Sequence, residues 1–383
     1  MSAVRAAVLE APGAAVRVTT VELDEPRAGE VEVAIAAAGV CGSDVHVVTG
    51  DWEVPMPVVL GHEGSGVVTR VGAGITDLAV DDHVVLSWVP QCGTCRQCVS
   101  GRPWQCELVA GVVAPGGVLH DGTSRWHGAG GAPLHHYLGV SSFAERVVVP
   151  RSGAVKVRLD APLDLIAILG CAVATGVGAV RNTAAVPPGA TVAVIGCGGV
   201  GLSVVQGARL AGAARIVACD LDPKKLAVAA RVGATDTLEA RDTTAALREA
   251  VPEGLDFVFD AVGRIETTEQ AIEALGLGGA AVVVGLPAVG QRASFDPLAL
   301  AEANQRILGS NYGSVDPQRD VPWLVDRVMA GELDLEALVS GRRPLAEAAE
   351  ALDDLQAGRV LRTLLIPHAH QEVSHVQHSR PAD

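Results

Sequence analysis

Between residues 30 and 150 the apolar positions fall in short valine-rich stretches, "EVEVAIAA", "GVVTRVG", "DDHVVLS" and "FAERVVVP", separated by Gly, Asp and Pro. Runs of that length bounded by turn formers predict strands, so this part of the chain is expected to be β-rich with long loops. From about residue 190 the rhythm changes. Apolar stretches "ATVAVIGCGGVG", "ARIVACD", "LDFVFDAVG" and "AAVVVGL" alternate with segments of helical length and period, the succession expected of parallel strands crossed by helices. One of those helices has a clear start, with Asp222 as N-cap and Pro223 where the amide would be unpaired anyway. The fold class expected is therefore α/β, with a β-rich domain beside a doubly wound parallel sheet.

The longest apolar run, Leu165 to Val180, is sixteen residues with three glycines and a threonine, short of a membrane span. The N-terminus "MSAVRAAVLEAPGAAV" has no basic segment leading into an apolar core and a cleavage site, so a cytoplasmic location is expected. After Pro367 the tail "HAHQEVSHVQHSRPAD" is polar and aperiodic, and residues 368–383 are expected to be disordered. A length of 383 residues with 49% apolar composition suits two domains around large cores. The net charge of −15 opposes nucleic acid and anionic membrane as partners.

Chemistry enters with "IGCGGVG". Gly196, Gly198 and Gly201, with Gly199 between them, form GxGxxG after an apolar strand and at the opening of a helix. Asp220 closes the next strand twenty-four residues beyond Gly196. In that context glycines let backbone amides approach a pyrophosphate at the helix N-terminus, and the carboxylate can accept from a ribose diol while repelling a 2′-phosphate. The cofactor expected is NAD.

Four of the eight cysteines, Cys92, Cys95, Cys98 and Cys106, occupy fifteen positions as CxxCxxCx7C. Four thiolates from one local segment suit a closed, structural tetrahedral zinc site in a reducing compartment. An iron–sulfur cluster, a disulfide pair, inert buried thiols and a nucleic-acid-binding zinc module are the competing readings, the last opposed by the acidic balance. Cys197 and Cys219 read as small apolar fillers. A further set is scattered: Cys41, Ser43, Asp44 and His46 in "GVCGSDVH", His62 and Glu63 in "GHEGSG", and Cys171 in "ILGCAVATG".

In order and spacing these features resemble the zinc-dependent medium-chain alcohol dehydrogenases from about residue 5 to Pro367. Cys41, His62 and Cys171 match that family's catalytic zinc ligands, and the cysteine loop of residues 91–107 matches its structural zinc. The resemblance implies two zinc ions per chain. It also implies a GroES-like catalytic domain of residues 1–171 and 311–367 and a Rossmann domain of residues 172–310. Two sulfurs and one imidazole would leave a fourth zinc position open, where an alcohol oxygen can bind and lose its proton near neutral pH. Ser43 would then take that proton and His46 pass it to solvent, with Asp44 and Glu63 as carboxylates orienting His62. Thr175 and Val200 resemble nicotinamide contacts, Lys225 an adenosine-ribose contact, and Arg362 a pyrophosphate contact. Gly42 stands where liver-type members carry an arginine against the pyrophosphate, so a looser cofactor grip is expected.

Trp52 and Trp88 match positions lining the family's substrate pocket and resemble the yeast-type small-alcohol enzymes; Leu286 would add an apolar wall. The expected substrate is a short-chain or aromatic primary alcohol, oxidised reversibly to the aldehyde. A thiol-dependent formaldehyde dehydrogenase is the main rival, because "DGTSRWHGAGG…HYLGVSSFAERVVVP" resembles the class III group and Asp51 and Glu53 can be read as contacts for a thiol adduct. Against it, the interval of twenty-one residues from Cys41 to His62 is one shorter than is typical there. A nicotinoprotein holding NAD permanently and a non-catalytic zinc-stabilised NAD-binding scaffold are the remaining readings. The long segment from Cys106 to Phe143 resembles dimeric members, so a homodimer is expected, with a tetramer as the alternative.

Overall fold

The computed structural model describes residues 1–239 and 242–368. Four of the expected valine-rich stretches are strands of a seven-stranded sheet organised around Glu30–Gly39. Along one edge that strand pairs antiparallel with Gly64–Val71, which in turn pairs with His83–Leu86. Along its other edge it pairs first with Arg146–Pro150 and then, through Ala38 and Gly39, with Thr363–Ile366. The end of the described chain is thereby stitched back into the N-terminal half.

Two strands that the apolar pattern did not announce, Ser2–Leu9 and Arg17–Leu23, form a small closed barrel with Val58–Val59, Trp126–His127 and Pro133–His136. "SAVRAAVL" is alanine-rich and carries little of the β-branched signature, so its pairing with Arg17–Leu23 supplies what its propensity lacks.

The second half builds a six-stranded, wholly parallel sheet in the order Asp236–Glu239, Arg215–Asp220, Thr191–Ile195, Leu255–Asp260, Leu275–Val283, Arg306–Gly309. Val192, Ala193 and Val194 in its centre are all fully buried, because helices cover both faces. The chain leaves Thr191–Ile195 for a neighbour on one side and later returns on the other. That reversal opens a crevice at the strand's C-terminal end, where GxGxxG sits. Asp222 caps the helix Pro223–Val232 as expected, accepting from the Lys224 amide at 2.9 Å.

The apolar run around Cys171 is a broken helix: Leu163–Gly170 and Ala172–Thr183 meet at 55°, and the break falls on Cys171, whose φ of −141° leaves the helical region. No single helix among the described residues is long and apolar enough to cross a membrane. The tail expected to be disordered lies, apart from His368, outside the described residues.

Candidate active site

Cys41 follows the strand Glu30–Gly39 and is the N-cap of the helix Gly42–Thr49. Asp44, at the third helical position, turns back: one carboxylate oxygen accepts from the Cys41 amide at 3.0 Å, the other from the Gly61 amide and from Nδ1 of His62, each at 3.2 Å. One buried carboxylate thus ties the segment holding Cys41 to the segment holding His62. Cys171, at the helix break, brings the third donor. The two sulfurs and an imidazole nitrogen lie within 4.8 Å of one another, all on buried residues.

The donor set fits a zinc ion. Nε2 of His62 is buried and has no hydrogen-bond partner, while Nδ1 is held by Asp44, the division of labour a metal-bound imidazole shows. The Cys41 thiol is held well below its ordinary pKa by hydrogen bonding with Cys171 and, against the cost of burial, by the charges of Arg362 and His62. A thiolate is the form that binds metal.

Glu63 does not orient His62 as the sequence suggested. His62 faces the two sulfurs, but the Glu63 side chain makes no hydrogen bond to it. Its carboxylate accepts from the Ala172 amide at 2.8 Å and lies 3.5 Å from the Arg362 guanidinium. Burial raises its pKa to about 7 despite that guanidinium. Glu63 therefore steadies the peptide that carries Cys171, and Asp44 alone reaches the imidazole.

The sulfurs of Cys92, Cys95, Cys98 and Cys106 also lie within 4.8 Å of one another. Backbone amides point at them: Cys92 donates to the Cys106 sulfur and Cys95 to the Cys92 sulfur, both at 3.3 Å, and Glu107 to the Cys95 sulfur at 3.4 Å. None of the eight cysteines is paired in a disulfide, against the disulfide reading. Four converging sulfurs with amide support fit a closed zinc site. Cys197 and Cys219 are buried in the parallel-sheet domain.

A cavity of about 650 Å³ runs between the two domains and is lined both by Cys41, His62 and Cys171 and by the fingerprint residues Gly198, Gly199 and Val200. Two of the glycines are sterically required there. Gly196 has φ +91°, and a methyl group on Gly201 would fall 1.7 Å from the Gly196 carbonyl oxygen. Gly198 faces open space, where a ligand can approach the helix N-terminus. Thr175 and Lys225 line the same cavity. Arg362 is buried, donates to the Val40 carbonyl at 2.7 Å, and lies so close to Gly199 that a methyl group there would meet its Nη2 at 2.6 Å. Asp220 is outside the cavity lining. Its oxygens accept from the amides of Cys197, at 2.7 Å, and Asp222, at 2.9 Å, and each keeps a further lone pair.

Ser43 and His46 line the cavity beside Cys41, with the Ser43 hydroxyl 3.9 Å from the Cys41 sulfur. Trp52, Trp88, Glu53 and the half-exposed Leu286 line it too, whereas Asp51 is occupied by His46 and Thr49. The sequence reading missed Tyr137 and Tyr312. Tyr137 stands edge-on to His62, ring centroids 5.4 Å apart, and its hydroxyl donates to the Ser43 carbonyl at 3.1 Å. Tyr312 packs on Trp88 at 4.6 Å and donates to the Gly170 carbonyl, next to Cys171, at 2.7 Å. These are the chain's only two tyrosines, and both line the cavity; their scarcity was the available signal.

Comparison with known proteins agrees with this architecture. Residues 27–159 match the alcohol dehydrogenase GroES-like domain, and residues 199–330 match the zinc-binding dehydrogenase domain. An S-(hydroxymethyl)glutathione dehydrogenase from Escherichia coli O1:K1 / APEC is 38% identical over 367 residues, 94% of this chain and 99% of that protein. Among solved structures, an alcohol dehydrogenase zinc-binding domain protein from Burkholderia ambifaria is 38% identical with a TM-score of 0.91, covering 96% of this chain and 100% of its own. The benzyl alcohol dehydrogenase from Acinetobacter calcoaceticus is 33% identical with a TM-score of 0.90, covering 96% and 99%. Identity of that order over nearly the whole of both chains, together with two domain matches, makes this chain a member of the zinc-dependent medium-chain alcohol dehydrogenase family, whose enzymes are oxidoreductases using zinc and NAD(H).

Proposed function

We propose that the protein is an NAD-dependent dehydrogenase of primary alcohols whose pocket favours an uncharged, flat aromatic substituent. The observation that carries this is the shared cavity: the Cys41, His62, Cys171 trio, the Ser43 and His46 pair and the glycine fingerprint all open into it, beside a wall of Trp88, Tyr312 and Leu286. Cys41, His62 and Cys171 would hold a zinc ion that would supply Lewis acidity to an alcohol oxygen, and the fingerprint would hold an NAD that would supply the hydride acceptor. Ser43 takes the hydroxyl proton. His46, whose side chain is 34% exposed, passes it to water. Arg362 and the fingerprint amides take the pyrophosphate, with Asp220 and Lys225 on the adenosine ribose and Thr175 and Val200 against the nicotinamide. The aromatic wall keeps water from the reacting carbon.

A second reading is favoured by the curated relatives, which act on S-(hydroxymethyl)glutathione and weigh more toward a thiol adduct than toward a simple alcohol. The pocket supports it less. Among the described residues, and apart from His46 and His62, its charged lining is Glu53, Lys225 and the buried Arg362, with both cations at the cofactor end. NADH formation from a panel of alcohols and from formaldehyde, each with and without glutathione, decides between them. Turnover of benzylic and short alcohols without thiol supports the first reading; formaldehyde turnover only with thiol replaces it with the second. NAD retained through purification would mark the nicotinoprotein variant. We further propose a homodimer, on the resemblance of the Cys106 to Phe143 segment to that of dimeric members, which light scattering tests directly, and a cytoplasmic location, which cell fractionation tests.

A further inference from the structure

We propose that Asp51 is a positioning residue for His46, holding its ring in the tautomer protonated on Nδ1 so that Nε2 is the proton acceptor presented to the cleft, with Trp52 clamping the ring from its face. The inference rests on the relay role assigned to His46 above and adds the device that prepares it.

The local chain explains the geometry. The helix Gly42–Thr49 stops at Gly50, whose φ of +84° reverses the backbone. The next two residues fold back over the last helical turn, and the Trp52 amide donates to the His46 carbonyl at 3.2 Å. Asp51 then reaches the ring: its Oδ2 lies 3.0 Å from Nδ1 of His46 and accepts from the Thr49 hydroxyl at 2.9 Å. An ionised carboxylate only accepts, so in this contact Nδ1 carries the hydrogen. The His46 and Thr49 hydrogen bonds hold the Asp51 carboxyl below its ordinary pKa, keeping it ionised. Trp52 stacks on the imidazole with centroids 4.7 Å apart and planes 21° from parallel. The ring is fixed in its plane by one neighbour and across its face by the other. Only Nε2 remains to take a proton, on a side chain that lines the cavity. One oxygen of Asp51 is accordingly engaged within the protein, and Trp52 acts on His46 as well as on substrate.

The direct test is spectroscopic. Protein labelled with 15N-histidine, with His46 assigned by its absence from His46→Gln, is examined above the ring's titration. The Nδ1–H tautomer is expected in the wild-type protein, and Asp51→Ala is expected to shift the ring to the Nε2–H form that free histidine prefers. Turnover of Asp51→Ala should fall about tenfold, a fraction of the ~100-fold ascribed to a general acid–base group, while KM for NAD stays within about twofold. Asp51→Asn, whose amide oxygen can still accept, should recover part of the loss. A wild-type ring already in the Nε2–H form, or a tautomer unmoved by Asp51→Ala, overturns the proposal. His46→Gln with undiminished turnover overturns the relay reading instead, whatever the tautomer.

Discussion

The Asp44 carboxylate stands 3.2 Å from Nδ1 of His62 while accepting from the amides of Cys41 and Gly61, so one buried side chain sets both the ring's orientation and the spacing of two zinc donors. Asp44→Asn replaces a charge with a dipole at that point. Zinc affinity of the catalytic site should fall by about 10–100-fold, as for other groups supporting metal-bound histidines. Competition with a chromophoric chelator measures it, and wild-type affinity would show that Asp44 only shapes the turn.

The cysteine loop should behave as a separate structural site. Cys95→Ser is expected to reduce bound zinc from two ions to one per chain and to lower the melting midpoint by roughly 5–10 °C, since metal binding there contributes folding free energy. Metal analysis with calorimetry reads both. Two ions retained at an unchanged midpoint would assign the four sulfurs some other role.

Gly42 lines the cavity and a Cβ there would meet no neighbour. Gly42→Arg places a guanidinium at a helix N-terminus beside the cleft, where a charge-assisted hydrogen bond to pyrophosphate should tighten NAD binding by about tenfold. NADH release, followed by stopped-flow fluorescence, should slow by a similar factor. An unaltered cofactor affinity discards the explanation of the looser grip.

Trp88 lies against Tyr312, itself anchored on the Gly170 carbonyl. Trp88→Ala removes one half of this wall and leaves the anchored half standing. Values of kcat/KM for bulky alcohols should rise about tenfold, and those for the smallest should fall as contact is lost. A substrate profile that keeps its shape would place the indole outside the substrate's reach.

Acid sensitivity should trace in part to His136, which is buried and accepts from the Arg125 amide at 3.2 Å. Burial, reinforced by the Arg125 charge, depresses its pKa to about 3. A folded-state value below the unfolded one means that the unfolded chain takes up the proton first. The stabilisation is complete above about pH 6.5 and is lost as pH falls toward 3, at up to roughly 1.4 kcal/mol per unit. His136→Gln should flatten the stability profile between pH 6.5 and 5 in urea titrations. An unchanged slope there would assign the acid lability to other groups.

Much of this molecule was legible along the chain. The parallel sheet, the glycine turn, the capped helix at Pro223 and the four-cysteine loop are set by neighbours a few residues apart, and hydrophobic period, backbone freedom and thiol spacing act at that range. The strands near the N-terminus were hidden because an alanine-rich sequence becomes a strand only when a partner is beside it.

The sequence by itself determined which donors exist: two thiols and an imidazole in the order and spacing of a zinc dehydrogenase, and a fingerprint whose Gly196 and Gly201 leave no room for a side chain. Tertiary structure decided their partners. Asp44, not Glu63, serves His62; Glu63 reaches the amide after Cys171, 109 residues away; and Tyr137 reaches Ser43 across 94 residues. Sheet register and the helix break at Cys171 set these meetings, because residues so far apart in the chain come within hydrogen-bonding distance only after strand pairing and domain packing have paid the entropy of closing the loops between them.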